Sequence, residues 1–186
     1  MMRTALGFRV HSGWAAMVVA ATSQVLDRRR IEITDPRLPG SVQPYHHAKT
    51  LSLPEAKQYL DHCAKQSRKM ALTAIEDALD RHRVAACGIL MSSARPAGTL
   101  EATLASHAAI HSAEGEFFRD AILHAAGACS ISCRKIKEKE LLNVARTELG
   151  IRDPEAFLTE MRKTLGAPWT QDEKYAALAG WVALKL

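Results

Sequence analysis

The sequence predicts an α/β fold. It is a five-stranded mixed sheet with an antiparallel meander first, two strands parallel to the first strand after it, and helices on both faces. Three observations lead there. The first 33 residues hold three β-type segments joined by tight turns. From Ser52 onward, helical periods alternate with two short apolar runs, Val84–Met91 and Ala128–Cys133. Finally, 186 residues with 47% apolar and 24% charged composition suit one globular domain, 1–186.

The elements follow in order. Arg3–Val10 is apolar and partly β-branched, and His11-Ser12-Gly13 turns the chain. Trp14–Ala21 is almost continuously apolar, as expected of a strand covered on both faces. After a turn at Thr22-Ser23, Gln24–Ile33 alternates Val25, Ile31 and Ile33 with Asp27, Arg28 and Arg30. Pro36, Pro39, Gly40 and Pro44 make 34–50 a loop, with His46 and His47 near its end. Ser52-Leu53-Pro54-Glu55 is a capping box that opens a helix running to about Arg83. Val84–Met91 reads as a central strand and 92–98 as a Ser/Pro/Gly loop. Leu100–Ala126 is expected to be one long helix with Leu100, Leu104, Ala108, Phe118 and Ile122 on a stripe. Ala128–Cys133 is the fifth strand and Lys137–Leu149 a helix ended by Gly150. An inserted helix occupies 151–166, and a final one runs over Gln171–Leu184 with an Ala-rich face that must pack on the sheet.

Bulk properties narrow the function classes. Hydrophobicity is too high and net charge too low for disorder. The charge of +5 and a pI near 9.2 suit a polyanionic partner, although solvated helix faces also carry Lys and Arg. Cys63, Cys87, Cys129 and Cys133 match no zinc spacing. On one strand, Cys129 and Cys133 would stand about 13 Å apart. All four are read as reduced thiols of a cytoplasmic protein. Arg3, Arg9 and the run Trp14–Ala21 mimic a secretory signal, but two strands around a turn explain them better. No stretch approaches the roughly 20 apolar residues of a membrane span, so no membrane partner is expected.

Several segments carry a family resemblance. Ala5-Leu6-Gly7-Phe8-Arg9-Val10-His11-Ser12-Gly13-Trp14 is similar to an opening strand that reads apolar-Gly-apolar-Asp-Pro-Gly, followed by Gly-aromatic. His111-Ser112-Ala113-Glu114-Gly115 stands where a long helix carries a small-residue element. The strand at Cys129–Cys133, the lysines Lys135, Lys137 and Lys139, and Val144-Ala145-Arg146-Thr147 match a strand, basic turn and helix. Asp172-Glu173-Lys174-Tyr175-Ala176-Ala177-Leu178-Ala179 is similar to a closing Asp-Ala-Ala-Asp-Ala-Leu-Ala helix. Together, and in this order, these segments resemble the Holliday junction resolvase family, whose fold is ribonuclease H-like.

The resemblance implies two-metal phosphodiester hydrolysis, with carboxylates holding two Mg²⁺ ions about 4 Å apart. The chain departs from that pattern. Arg9 stands at the first-strand Asp, and no acid lies in Met1–Gln24. Ile89-Leu90-Met91-Ser92-Ser93 has none at the second position. The C-terminal pair falls on Glu173 and Ala176, and Asp172 points about 100° away from Glu173. Thr170-Gln171-Asp172-Glu173 is itself a capping box, which accounts for Glu173 without catalysis.

Other groupings are weaker. His107, His111 and Glu114 share a helix face at i, i+4 and i+7, a spacing that could hold a transition metal, with His46-His47 as further donors. His111 also falls on the apolar stripe, and a core or cleft-lining histidine is the reading favoured, with no metal site assigned. Basic residues cluster at Arg28-Arg29-Arg30, at Lys65 with Arg68 and Lys69, and from Arg134 to Lys139, where Glu138 and Glu140 interleave. No Gly-x-Ser-x-Gly elbow or phosphate-cradling glycine loop is present.

The leading expectation is a non-catalytic, resolvase-like module that binds DNA or RNA, or a protein partner, without cutting. Arg9, Arg134, Lys135, Lys137 and Lys139 would meet phosphates, and a second copy of the chain is a candidate partner. No cofactor is called for. The alternative is a metal-dependent, structure-selective nuclease with a rearranged acidic site, using Glu173 and Asp172 with Mg²⁺ and drawing on Glu101 or Asp35. A protein-interaction scaffold, its cleft plugged by Met91 and Trp14, is the second alternative.

Overall fold

Strands β1 (Thr4–His11), β2 (Trp14–Ala21) and β3 (Gln24–Glu32) form the expected antiparallel meander. The computed structural model describes residues 2–22, 24–93 and 98–185. Ser23 and most of the expected 92–98 loop, 94–97, lie outside the described residues. Strand β4 (Val84–Met91) runs parallel to β1, and β5 (Ser132–Lys137) runs parallel to β4. The sheet order is β3-β2-β1-β4-β5, the ribonuclease H-like arrangement. Strand β2 reads as nearly continuous apolar because both of its faces are covered, and seven of its eight residues are buried.

The helices are α1 (Pro44–Ala48), α2 (Leu53–Leu79), α3 (Leu100–Leu104), α4 (His107–Ala128), α5 (Leu141–Leu149), α6 (Pro154–Leu165) and α7 (Gln171–Ala183). Period-2 alternation sends Leu6, Phe8 and Val10 of β1 into a core shared with Ile75 of α2 and Phe118 and Ile122 of α4. The other sheet face packs Val18, Leu90 and Ile136 against Leu141, Leu158, Leu178 and Val182 from α5, α6 and α7. Among the described residues no helix is long and apolar enough to cross a membrane.

Several boundaries differ from expectation. The 34–50 segment is not all loop, because Pro44 starts the short helix α1. Helix α2 stops at Leu79, not Arg83. The Arg83 carbonyl accepts hydrogen bonds from Thr4 N–H (3.2 Å) and Oγ1 (3.0 Å), which ties the chain into the sheet. The long helix is two: Ser106 Oγ accepts from Ala109 N–H and starts α4 afresh. Leu100 and Leu104 pack with Tyr45, Leu51 and Tyr59 rather than on the main core. Strand β5 lies four residues later than expected. Cys129 caps α4, Ser130 turns at φ 57°, and the strand itself carries Arg134, Lys135 and Lys137. Cys129 and Cys133 therefore do not share a strand. A 3-10 turn, Glu138–Glu140, replaces the expected start of the helix at Lys137.

Candidate functional site

Two glycines decide where the site forms. Gly7 of β1 and Gly88 of β4 are paired neighbours, and helix α7 lies directly on them. A Cβ on Gly7 would stand 1.8 Å from the Ala176 carbonyl oxygen, and one on Gly88 2.0 Å from that of Ala179. Ala176, Ala177 and Ala179 are fully buried, so small side chains on the helix complete the close seating. Alternation along β1 puts Arg9 and His11 on the same face as Gly7. The first turn of α7 is thereby carried over both.

There Asp172 Oδ1 accepts from Arg9 Nη1 at 2.7 Å and from His11 Nε2 at 2.7 Å. A carboxylate only accepts, so the His11 proton in this contact sits on Nε2. Glu138, from the 3-10 turn after β5, takes the other side of the guanidinium: Nη2 to Oε1 is 2.6 Å and Nε to Oε2 is 3.4 Å. The Arg9 carbon Cζ stands 5.3 Å from the centre of the Tyr175 ring. Burial works against the Arg9 charge. Hydrogen bonding and charge from Glu138, then from Asp172, outweigh it and hold the guanidinium above its ordinary range.

Arg9 is thus a cation held by two acids at the end of β1. One guanidinium against two carboxylates leaves the trio at a net charge of −1. Glu138 was read only as an interleaved surface acid; no local signal marks it, because β5 must be placed correctly before its neighbourhood is known. Glu173 does what its capping box suggests. Its Oε2 accepts from Thr170 N–H at 2.6 Å and contacts the Thr170 hydroxyl. Asp172, not Glu173, is the acid that faces β1. Asp35 is engaged by Arg37, and Glu101 sits exposed on the first turn of α3; neither is among the acids that meet Arg9.

The remaining expected residues separate. Lys139 shares a cleft of about 430 Å³ with Glu138, Met91, Ser92, Arg119 and Tyr175. Lys137 Nζ is 3.4 Å from Glu140, and Lys135 is exposed on the edge strand. Arg134 lies toward the other end of the sheet, in a two-point contact with Glu148 (2.5 and 2.6 Å), and it donates to the Val182 carbonyl at 3.2 Å. Trp14 does not plug the cleft. It stacks on His11 with ring centres 4.3 Å apart, and Arg30 stands 3.9 Å over its ring. The donor set at the strand ends does not fit a pair of hard divalent ions, since the two acids that meet there already hold a fixed cation.

Across the sheet, His46 of α1 meets His107 and His111 of α4. His111 is exposed, not a core residue: the apolar stripe assumed one unbroken helix, and restarting at Ser106 turns this position outward.

No family model matches the chain, and no curated protein matches it. Solved structures do. The chain is similar to Thermus thermophilus RuvC in complex with a Holliday junction substrate, with a TM-score of 0.57, 13% identity, and coverage of 98% of this chain and 93% of that one. It is likewise similar to another Thermus thermophilus RuvC structure, with a TM-score of 0.56, 12% identity, and coverage of 100% and 94%. At these identities the likeness establishes the resolvase fold.

Proposed function

We propose that this chain is a non-catalytic, resolvase-like module that binds nucleic acid through its phosphates. The observation that carries the proposal is the Arg9 guanidinium clasped by Glu138 and Asp172, at the strand end where the resemblance implied a metal-binding acid. An internal cation offsets part of the acids' charge without generating a metal-bound nucleophile. The site then serves to position the turn after β5, whose Lys137 and Lys139, with Lys135 on the strand, are the phosphate contacts. Arg9 holds that surface in shape from behind, and Arg134 braces the other end of the strand on Glu148. Similarity to a RuvC structure solved with junction DNA supports a nucleic acid as the ligand. A two-fold junction would engage two copies of the chain.

The test is fluorescence anisotropy with labelled four-way junction and duplex DNA in EDTA. Binding is expected to persist in EDTA and to weaken steeply with salt, and removing each of Lys135, Lys137 and Lys139 should lower the log-log slope by about one. No binding at 50 mM salt rejects the proposal. Light scattering on the junction complex counts the chains. Convergence of Asp172 and Glu138 favours one other reading, a nuclease that displaces Arg9 to admit metal. Mg²⁺- or Mn²⁺-dependent junction cleavage lost on Asp172→Asn would establish it.

A further inference from the structure

The three histidines on the opposite sheet face are built like a metal site. His107 and His111 stand one turn apart at the start of α4. The short helix α1 lays His46 across them. Ring centres are 4.4 Å apart for His107 and His111, 4.9 Å for His46 and His111, and 5.5 Å for His46 and His107. One ligand-capable nitrogen from each lies within 4.8 Å of the others. Tetrahedral zinc, with Zn–N bonds of about 2.0–2.1 Å, spaces its nitrogens by roughly 3.3 Å. His107 and His111 are exposed, so their rings can turn toward that spacing without displacing packed neighbours.

The second observation is Glu114, one turn further along α4. It is a carboxylate only 3% exposed. Its Oε1 accepts from His46 Nδ1 at 2.9 Å and from the His46 backbone N–H at 3.2 Å. No Lys or Arg among the described residues pairs with it; its one charge-bearing partner is His46. A carboxylate that accepts a hydrogen bond from Nδ1–H leaves Nε2 with a free lone pair pointing away from Glu114, as carboxylates hydrogen-bonded to metal-bound imidazoles do. A cation on that nitrogen would also balance the buried negative charge.

We propose that His46, His107 and His111 bind a divalent transition metal, zinc in the first instance, with Glu114 as the positioning residue and solvent in the fourth place. Imidazole donors select such ions over Mg²⁺. The site joins the segment between β3 and α2 to α4, so the metal acts as a clamp on that segment. It shares no residue with the Arg9 cluster.

The experiment uses untagged full-length protein stripped with chelator and titrated with zinc chloride against a chromophoric competitor. One zinc per chain is expected. Affinity should fall at least tenfold in His107→Ala and in His111→Ala, whose exposed side chains leave the fold intact by circular dichroism. In Glu114→Gln it should fall by about 10- to 100-fold. Co²⁺ should give the visible absorption of a tetrahedral site, and zinc should raise the Tm of the native chain but not that of His111→Ala. Absence of stoichiometric zinc, or zinc binding that survives both histidine substitutions, as it would on the cysteines, overturns the proposal. Unchanged affinity in Glu114→Gln overturns the role given to Glu114.

Discussion

Arg9 and Glu138, 129 positions apart in the chain, meet in a two-point contact through Nη2 and Nε of one guanidinium. The fork is the reason arginine suits this place. One planar group serves Glu138 on one side while Nη1 serves Asp172 on another, which a lysine ammonium could not do in the same geometry. Strand β1, the turn after β5 and the first turn of α7 are thereby tied at one point.

Removing the cation should expose what it compensates. Arg9→Ala leaves Glu138 partly buried and unpaired, and leaves Asp172 with His11 alone. A stability loss of about 1–3 kcal/mol is expected, at the lower end because the three side chains keep 18–37% exposure. Adding Glu138→Gln to Arg9→Ala should recover part of the loss, a non-additivity that urea denaturation measures. Mg²⁺ is expected to raise the Tm of Arg9→Ala and leave that of the native chain unchanged. An equal Mg²⁺ effect on both would mean that the native acids already accept metal.

Much of this was legible in the sequence, and the failures share a cause. Strands β1, β2 and β4 and the Ala-rich α7 carry strong apolar patterns because both sides of those elements are buried. Strand β5 sits at the sheet edge, so Arg134, Lys135 and Lys137 dilute its pattern, and the apolar end of α4 reads more like a strand than β5 does. That hides Glu138. The Thr170 capping box did identify Glu173 as a cap, and the helical angle between neighbours then put Asp172 elsewhere; only the seating of α7 on Gly7 shows that elsewhere is Arg9. The histidine cluster needed α1, which a Pro-rich stretch concealed.

The seating of α7 is itself testable. A methyl group at Gly7 meets backbone of α7, not a flexible side chain that could yield. Gly7→Ala is expected to cost about 3 kcal/mol or more. Chemical denaturation should show a lower midpoint with an unchanged slope, and the Arg9 to Asp172 contact should loosen with the displaced helix. A loss below about 0.5 kcal/mol would show that α7 can slide without cost.

Arg134 is expected to act on stability rather than on ligand binding. Its hydrogen bonds hold the Glu148 carboxyl below the ordinary value of 4.5. The folded state therefore binds that proton less readily than the unfolded chain. The contribution is complete above about pH 4.5 and is lost as pH falls through the folded value. The pair is partly solvated, 24% and 36% exposed, so its worth is no more than about 1 kcal/mol. The stability gap between the native chain and Glu148→Gln should close as the pH falls below 4.5 and through the lowered folded value. Arg134→Met should keep a residual deficit there, because it also loses the pH-independent bond to the Val182 carbonyl. DNA affinity unchanged in Arg134→Met would complete the assignment.

The cysteines divide into one thiol whose pKa is held down and three whose pKa values are pushed up. Cys87 and Cys133 are register partners on β4 and β5, with Sγ atoms 2.6 Å apart. The contact with Cys133, and then burial, push the Cys87 thiol well up. Cys133 moves the other way: the hydrogen bond from Cys87 favours its thiolate over the opposing burial, with help from the Lys135 charge. Burial raises both Cys63 and Cys129. Iodoacetamide at neutral pH is therefore expected to label Cys133 first, read by mass spectrometry of the digested protein. Cys87→Ala should slow that labelling roughly several-fold by removing the donor, although it opens space beside the sulfur. Faster labelling in Cys87→Ala would mean that access, not the hydrogen bond, governs the reactivity of Cys133.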